Sequence, residues 1–135
     1  MLGDTGIESA EIVKGIVNQI KPDFVIAIDA LSASSSSRLG TTVQMSDVGI
    51  SPGSGVGNHR YEISRQTLGV PVVSIGIPTV VSTSVIRGKN DSGGMFVTPR
   101  EIDRIIEHGA KLIAMTVNVC LQKNIDPKDL FSLVV

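Results

Sequence analysis

The 135-residue chain is poor in cysteine and in aromatic side chains: it has one cysteine, no tryptophan, one tyrosine and three phenylalanines. A single cysteine, Cys120, excludes an intrachain disulfide and a metal site made of several thiolates. Few aromatic rings are present on which bases would stack. The 12 basic and 13 acidic residues are close to balance, so the chain has no electropositive footprint for a phosphate backbone. We therefore expect no direct nucleic-acid partner.

Long apolar runs are also missing. No segment approaches the roughly 20 apolar residues of a membrane span, and the first residues do not form a charged region that leads into a signal sequence. Together with the lone cysteine, these absences predict a cytoplasmic protein that contacts no membrane. The two histidines, His59 and His108, lie far apart and show no metal-binding spacing, so we expect neither a metal nor another cofactor.

The residues that are abundant indicate an α/β protein. Hydrophobic residues make up 41% of the chain and charged residues 19%, and the apolar set is rich in isoleucine and valine, as in a sheet buried on both faces. The length suits one domain over residues 1–135. The predicted fold is a three-layer α/β domain with a mostly parallel sheet flanked by helices.

Periodicity and end signals predict the order of the elements. Thr5 to Glu8 has the spacing of a capping box, which opens a helix, and Thr98 precedes a proline that fits the first turn of a late helix. Helices are expected over 6–20, 62–68 and 98–121, strands over 23–29, 41–46 and 70–77, a polar loop over 82–94 and a short turn or helix from Asp126.

The chain opens with a helix, whereas doubly wound sheets usually open with a strand. The predicted sheet would therefore have one side that is uncompleted, or completed by another chain. We expect that amino-terminal strands are missing and that the chain is a fragment or a truncated form.

Asp29 is the first candidate for chemistry. It ends the predicted apolar strand Phe24–Ile28, and the carboxyl ends of strands are where open α/β sheets bind ligands. An aspartate at a strand exit can instead accept N–H bonds from the following turn, so the pattern alone leaves both interpretations open.

A glycine-dense loop over 49–58 is the second candidate. Its backbone can adopt positive φ and approach a ligand closely, so Gly53, Ser54, Gly55 and Asn58 are expected to support the site or to face the substrate. Phosphate binding is an alternative, although the glycine spacing does not match the dinucleotide fingerprint. The serines over 34–37 suggest a nucleophile, but no base is placed nearby, so a polar loop is expected there.

Several collinear strings together resemble the germination (spore) protease family. They are Thr5-Gly6-Ile7-Glu8, Lys21 to Leu31 with Ile28-Asp29-Ala30-Leu31 at its end, Thr41 to Asp47, Pro52-Gly53-Ser54-Gly55-Val56-Gly57-Asn58, Thr67 to Val72 and Val97 to Asp103. The resemblance covers roughly residues 3–83 and adds a carboxyl-terminal helix.

The resemblance implies an endopeptidase of the spore core that cleaves small acid-soluble spore proteins during germination. It also implies synthesis as a zymogen, assembly into a homo-oligomer, a tetramer in the family, and a fold similar to hydrogenase-maturation endopeptidases. Those relatives use a metal, which leaves carboxylate coordination at Asp29 as an alternative.

The family resemblance implies a catalytic pair of aspartates. Asp29 corresponds to the second, and the first lies in an amino-terminal segment that this chain does not contain. Glu8 and Asp47 are the candidates for a substitute, since both lie in matched motifs. Where the family usually shows Arg, His and Asp, this chain has Ser34, Ser51 and Ser82. A diverged or truncated domain that does not cleave is therefore the alternative.

Overall fold

The first part of the chain forms a mixed sheet with β3 at its centre. The computed structural model describes residues 7–53, 60–87 and 95–134, and contacts divide the chain into two compact units, one up to Pro99 and one from Arg100. In the first unit, β1 (Val25–Ala33) pairs in parallel with one edge of β3 (Val72–Ser82). Strands β2 (Gln44–Ser46) and β4 (Phe96–Val97) pair antiparallel with β3.

The α/β class is confirmed, but the expectation of a mostly parallel sheet is wrong for the part of the chain described. One of the three strand pairings is parallel and two are antiparallel. The reason lies in the connection between β1 and β2, which has no room for the crossover helix that a parallel neighbour requires. The connection passes β3 at Pro78, whose carbonyl accepts the Gly40 N–H at 2.7 Å. Strand β2 then runs antiparallel to β3.

Strands β1 and β3 both continue beyond their predicted ends. Asp29 lies in the middle of β1 opposite Gly76, and the strand continues to Ala33 through a register shift after Leu31. That irregularity accommodates Pro78, which pairs with Leu31 although proline is rarely found inside a central strand. The predicted strand end at Asp29 is therefore wrong.

Helix α1 (Ser9–Ile20) covers the face of the sheet formed by alternate residues of β1. Buried Ala10 and Val17 pack with a cluster that includes Leu68 and Val72, and Val25 and Ala27 lie against it. The valines of the predicted helical stripe, Val13 and Val17, make this contact. The expectation that isoleucines of the same stripe are buried is wrong, since Ile12, Ile16 and Ile20 are exposed. The helix ends at Lys21, whose φ of 48° is left-handed, just before the proline that cannot continue it.

The start of α1 is shifted from the predicted capping box. Glu8 is the N-cap residue, and its N–H donates to the Glu11 carboxylate at 3.0 Å. Thr5, the predicted cap, lies outside the described residues. The reciprocal bond is made three positions later because Glu11 is the acidic residue within reach of the first turn.

Two short helices complete the first unit. Helix α2 (Arg65–Leu68) begins after Ser64, whose N–H donates to the Thr67 hydroxyl at 3.0 Å, and ends at Gly69 with φ 78°. The glycine end was predicted; the start is three residues later than expected. Helix α3 (Thr83–Arg87) lies at the beginning of the predicted polar loop.

The second unit is a helical pair, α4 (Ile102–Leu121) and α5 (Pro127–Val134). The expectation that Pro99 occupies the first turn of the long helix is wrong, since the first bond is donated by Ile105 to the Glu101 carbonyl at 3.0 Å. On α4, the hydrogen bond from Lys111 at 2.9 Å and its positive charge lower the pKa of Glu107. Among the described helices, none is long and apolar enough to cross a membrane.

Candidate functional site

The Asp29 carboxylate joins β1 to the glycine-dense loop. Its Oδ1 accepts the Ala30 N–H at 2.8 Å, and its Oδ2 accepts the Gly53 N–H at 3.3 Å. The first bond is the local one that a turn aspartate would make, but the second reaches 24 positions along the chain. The side chain is half-buried, so it is held in place and still accessible.

The loop approaches Asp29 because its two arms are tied together at the base. Ile50 and Ile63 form an isolated bridge, with N–H to carbonyl distances of 3.0 and 2.8 Å. Gly49 precedes the bridge with φ 119°, and a Cβ there would lie 2.7 Å from the Ile63 oxygen. Only glycine fits this approach. Both isoleucines are buried in the core, which anchors the two arms to the sheet.

Arg60 lies beside the same loop, at the beginning of the returning arm. The position of a Cβ on Gly53, whose φ is 74°, is 3.7 Å from the Arg60 Nε atom. The Gly53 backbone thus contacts the carboxylate through its N–H and lies close to the guanidinium. No ion pair within 4.0 Å joins Asp29 to Arg60, and the described residues include no other acidic partner of Arg60. Both charges therefore remain available to a ligand.

These groups line one cleft of about 360 Å³. Its described lining contains Asp29 as the one carboxylate and Arg60 as the one cation, and the remaining walls are mostly apolar. The cleft is lined by Ser9, Val13, Val25, Ile26, Ala27, Ile28, Asp29, Ile50, Pro52, Gly53, Arg60 and Ile63. A half-buried base and a half-buried cation in an apolar cleft can act on a polar bond from which water is partly excluded.

The structure brings together some of the predicted site residues and separates others. Asp29 and Gly53 are in direct hydrogen-bond contact, whereas Glu8 and the exposed Asp47 are not among the residues that line the cleft. Ser54, Gly55 and Asn58 lie outside the described residues. Arg60 lines the cleft although no sequence motif singled it out. A basic side chain directly after a glycine-dense loop was a usable signal.

The alternative chemistries receive no support from the described residues. The Gly53 N–H, which an anion-binding loop would present to a phosphate, is donated to Asp29. In the serine run, the hydroxyls of Ser35 and Ser37 lie 3.0 Å apart and are hydrogen-bonded to each other. This contact does not bring a base to either hydroxyl. No group of three or more histidine, cysteine or acidic side chains is arranged to hold a metal in the described ranges. The lone cysteine, Cys120, is exposed.

Comparison with known proteins gives a consistent result. The profile of a family described as germination protease matches residues 1–92. A germination protease of Clostridium perfringens (strain SM101 / Type A) is 39% identical over 170 residues, covering 96% of this chain and 52% of that protein. The Bacillus subtilis (strain 168) germination protease is 59% identical over 86 residues, covering 64% of this chain and 23% of that protein.

This chain is shorter than the relatives that it matches. The chain spans about half the length of the curated relatives that it matches over nearly all of its own length. The alignment with the first C. perfringens relative runs over 170 positions against the 135 residues of this chain. That relative therefore carries internal segments that have no counterpart here.

Proposed function

The chain belongs to the germination protease family, and we propose that it functions in peptide-bond hydrolysis, with Asp29 as the base and small acid-soluble spore proteins as the substrates. The observation that carries this proposal is the pair of unneutralised charges in one cleft, Asp29 and Arg60, on either side of Gly53. The proposed setting is the spore core, and the proposed assembly is a homo-oligomer formed from a zymogen.

In the proposed reaction, the Asp29 carboxylate removes a proton from a water molecule as the hydroxyl oxygen bonds to the carbonyl carbon of the substrate. The π electrons of the carbonyl move to its oxygen, and the Arg60 guanidinium stabilises that developing negative charge. An electron pair on that oxygen then re-forms the carbonyl as the carbon–nitrogen bond breaks, and the proton held by Asp29 passes to the leaving nitrogen. One water is consumed, and one acid and one amine are released, so the atoms balance.

A second carboxylate, of the kind that the family resemblance implies, would share the acid role, because two carboxylates held close have separated pKa values. Asp29 is the one carboxylate among the described residues of the cleft. In this site, the proposed role of the positive charge of Arg60 is to stabilise the negative charge that develops on the carbonyl oxygen.

The proposal is tested by incubating the purified chain with a small acid-soluble spore protein and mapping the products by mass spectrometry. We expect cleavage at a few discrete sites. A disordered acidic protein of similar length from a bacterium that forms no spores is the control and should stay intact. If the spore protein also stays intact over a long incubation, the non-catalytic alternative is favoured, in which this domain has diverged or needs further sequence.

Replacing Arg60 by glutamine tests how much this side chain contributes to the rate of cleavage. We expect kcat to fall about 100-fold with a small change in KM, because a group that binds developing charge acts mainly in the transition state. Arg60→Lys should restore part of the rate. Arg65→Gln is the matched control, since Arg65 is exposed on α2 and does not line the cleft; it should stay within about twofold of the wild type. Equal rates for Arg60→Gln and Arg65→Gln would remove Arg60 from the mechanism.

A further inference from the structure

Ser9 is the third polar side chain of the Asp29 cleft, beside Asp29 and Arg60 in the described lining. It is half-buried, and its hydroxyl makes no hydrogen bond within the described residues. No buried side-chain oxygen in that part of the chain lacks a partner, so the Ser9 Oγ atom is accessible to solvent. A molecule in the cleft can therefore bind to this hydroxyl.

The packing of α1 on β1 places Ser9 at the Asp29 end of the cleft. The two elements run in opposite directions, because only residues 21–24 connect the end of α1 to the beginning of β1. Val13 and Ala27 both pack against the same buried cluster. The step from Val13 back to Ser9 is about 6 Å along the helix, and the step from Ala27 to Asp29 is about 6.6 Å along the strand in the same direction. Ser9 is therefore the residue of α1 that comes opposite Asp29.

A water molecule that attacks a carbonyl carbon is held in one orientation when both of its hydrogens are accepted by the protein. Each Asp29 oxygen accepts one backbone N–H and keeps a lone pair for the hydrogen that is removed. The Arg60 guanidinium has donors only and cannot accept the second hydrogen. Ser9 is the one neutral polar side chain of the described lining, and its hydroxyl oxygen can accept that hydrogen.

We propose that the Ser9 hydroxyl is a catalytic group that holds the attacking water in place for Asp29. One hydrogen of the water is donated to an Asp29 oxygen and the other to the Ser9 Oγ atom, which leaves a lone pair of the water facing the substrate carbonyl. Asp29 removes the first hydrogen as the carbon–oxygen bond forms. Ser9 keeps its own proton throughout, so the balance of the reaction is unchanged. This proposal rests on the proposed function.

Ser9→Ala removes the acceptor and is expected to lower kcat about 10-fold, the effect of losing one neutral hydrogen bond in the transition state. KM should change little, because the water takes part in the reaction and not in substrate binding. Ser9→Thr keeps the hydroxyl and should restore most of the rate. Ser32→Ala is the control in β1, since Ser32 is exposed and does not line the cleft; its rate should stay within about twofold of the wild type.

Two further measurements separate this role from a structural one. Ser9 follows the N-cap residue Glu8, and alanine has a higher helix propensity than serine, so Ser9→Ala should unfold at a urea concentration no lower than the wild type. In the Asp29→Asn background, Ser9→Ala should lower the residual rate by less than about twofold, because groups that act as a unit are not additive. A loss of about 10-fold in both backgrounds, or a higher KM at unchanged kcat, would overturn the proposal.

A covalent ester on Ser9 is the competing chemistry, and added hydroxylamine tests for it. Hydroxylamine would attack such an ester, break its carbon–oxygen bond to Ser9 and release the amino-terminal product as a hydroxamate. We expect mass spectrometry to find only the free acid, as direct attack by water requires. A hydroxamate would overturn the proposal, since Ser9 would then be the nucleophile.

A crystal structure of the chain, in which ordered waters are visible, tests the inference without any turnover. We expect one water about 2.8 Å from both the Ser9 Oγ atom and an Asp29 oxygen, and no such water in Ser9→Ala. This water in a chain that cleaves no spore protein would support the inference and oppose the proposed function. Cleavage with no such water, and with Ser9→Ala as fast as the wild type, would overturn the inference and leave the protease proposal standing.

Discussion

Asp29→Asn is expected to lower the rate of peptide cleavage about 1,000-fold, since a positioned general base contributes on the order of 10²–10⁴ in rate. Asparagine has nearly the shape of aspartate but cannot take a proton from water at neutral pH. The Ala30 and Gly53 N–H groups donate to different oxygens of Asp29, so the amide nitrogen of asparagine must face one of them. The longer bond, to Gly53, is the one we expect to be lost.

The loss of that bond should cost only about 1 kcal/mol of unfolding free energy, so the variant should fold. Urea unfolding followed by circular dichroism measures this cost, and a cleavage assay on the same preparation measures kcat. Asp47→Asn is the matched control, because Asp47 is exposed after β2 and lies outside the cleft lining. Undiminished cleavage by Asp29→Asn would show that this carboxylate is not the base.

Gly76→Ala is expected to destabilise the sheet by about 3 kcal/mol, near the upper end for overpacking in a core. Gly76 lies in the central strand opposite Asp29. A Cβ at this position would lie 2.6 Å from the Asp29 carbonyl oxygen and 2.7 Å from the Leu31 Cδ1 atom. The Leu31 side chain can rotate away, but the Asp29 oxygen belongs to the strand ladder and moves only if β1 moves.

Gly15→Ala makes the same chemical change where it should have the opposite effect. Gly15 lies on the exposed side of α1, and no atom lies within 4 Å of a Cβ built there. Alanine at this position should stabilise the protein by roughly 0.5–1 kcal/mol, because it reduces the conformational entropy of the unfolded chain and has a higher helix propensity than glycine. Urea unfolding of both variants measures the two shifts. A Gly76→Ala variant as stable as the wild type would contradict the close packing of β1 against β3.

How far the sequence predicts this protein depends on the kind of signal. Helix α1 was found from isoleucine and valine at helical spacing, and the end of α2 from Gly69, because these features depend on neighbours along the chain. The cap of α1 and the start of α4 were misplaced. Each depends on which of several nearby residues makes the first hydrogen bond, and those alternatives differ by little free energy.

The errors in the sheet have a different cause. Asp29 was expected to end its strand, because the apolar run stops there. The strand continues since Ala30 and Leu31 pair with Ile77 and Pro78 of β3, and a pairing partner more than forty positions away leaves no trace in the local pattern. The direction of β2 likewise follows from the path of its connection, which the alternation of its three residues does not encode.

The sequence by itself determined the α/β class, the family and the singling out of Asp29, because these depend on composition and on motifs that are contiguous in the chain. Only the tertiary structure decided that Asp29 lies at mid-strand and that its carboxylate is bonded to Gly53. It also placed Arg60 in the same cleft. These features arise from hydrogen bonds between segments that are distant in the chain, and their geometry is set only when the strands and the loop pack together.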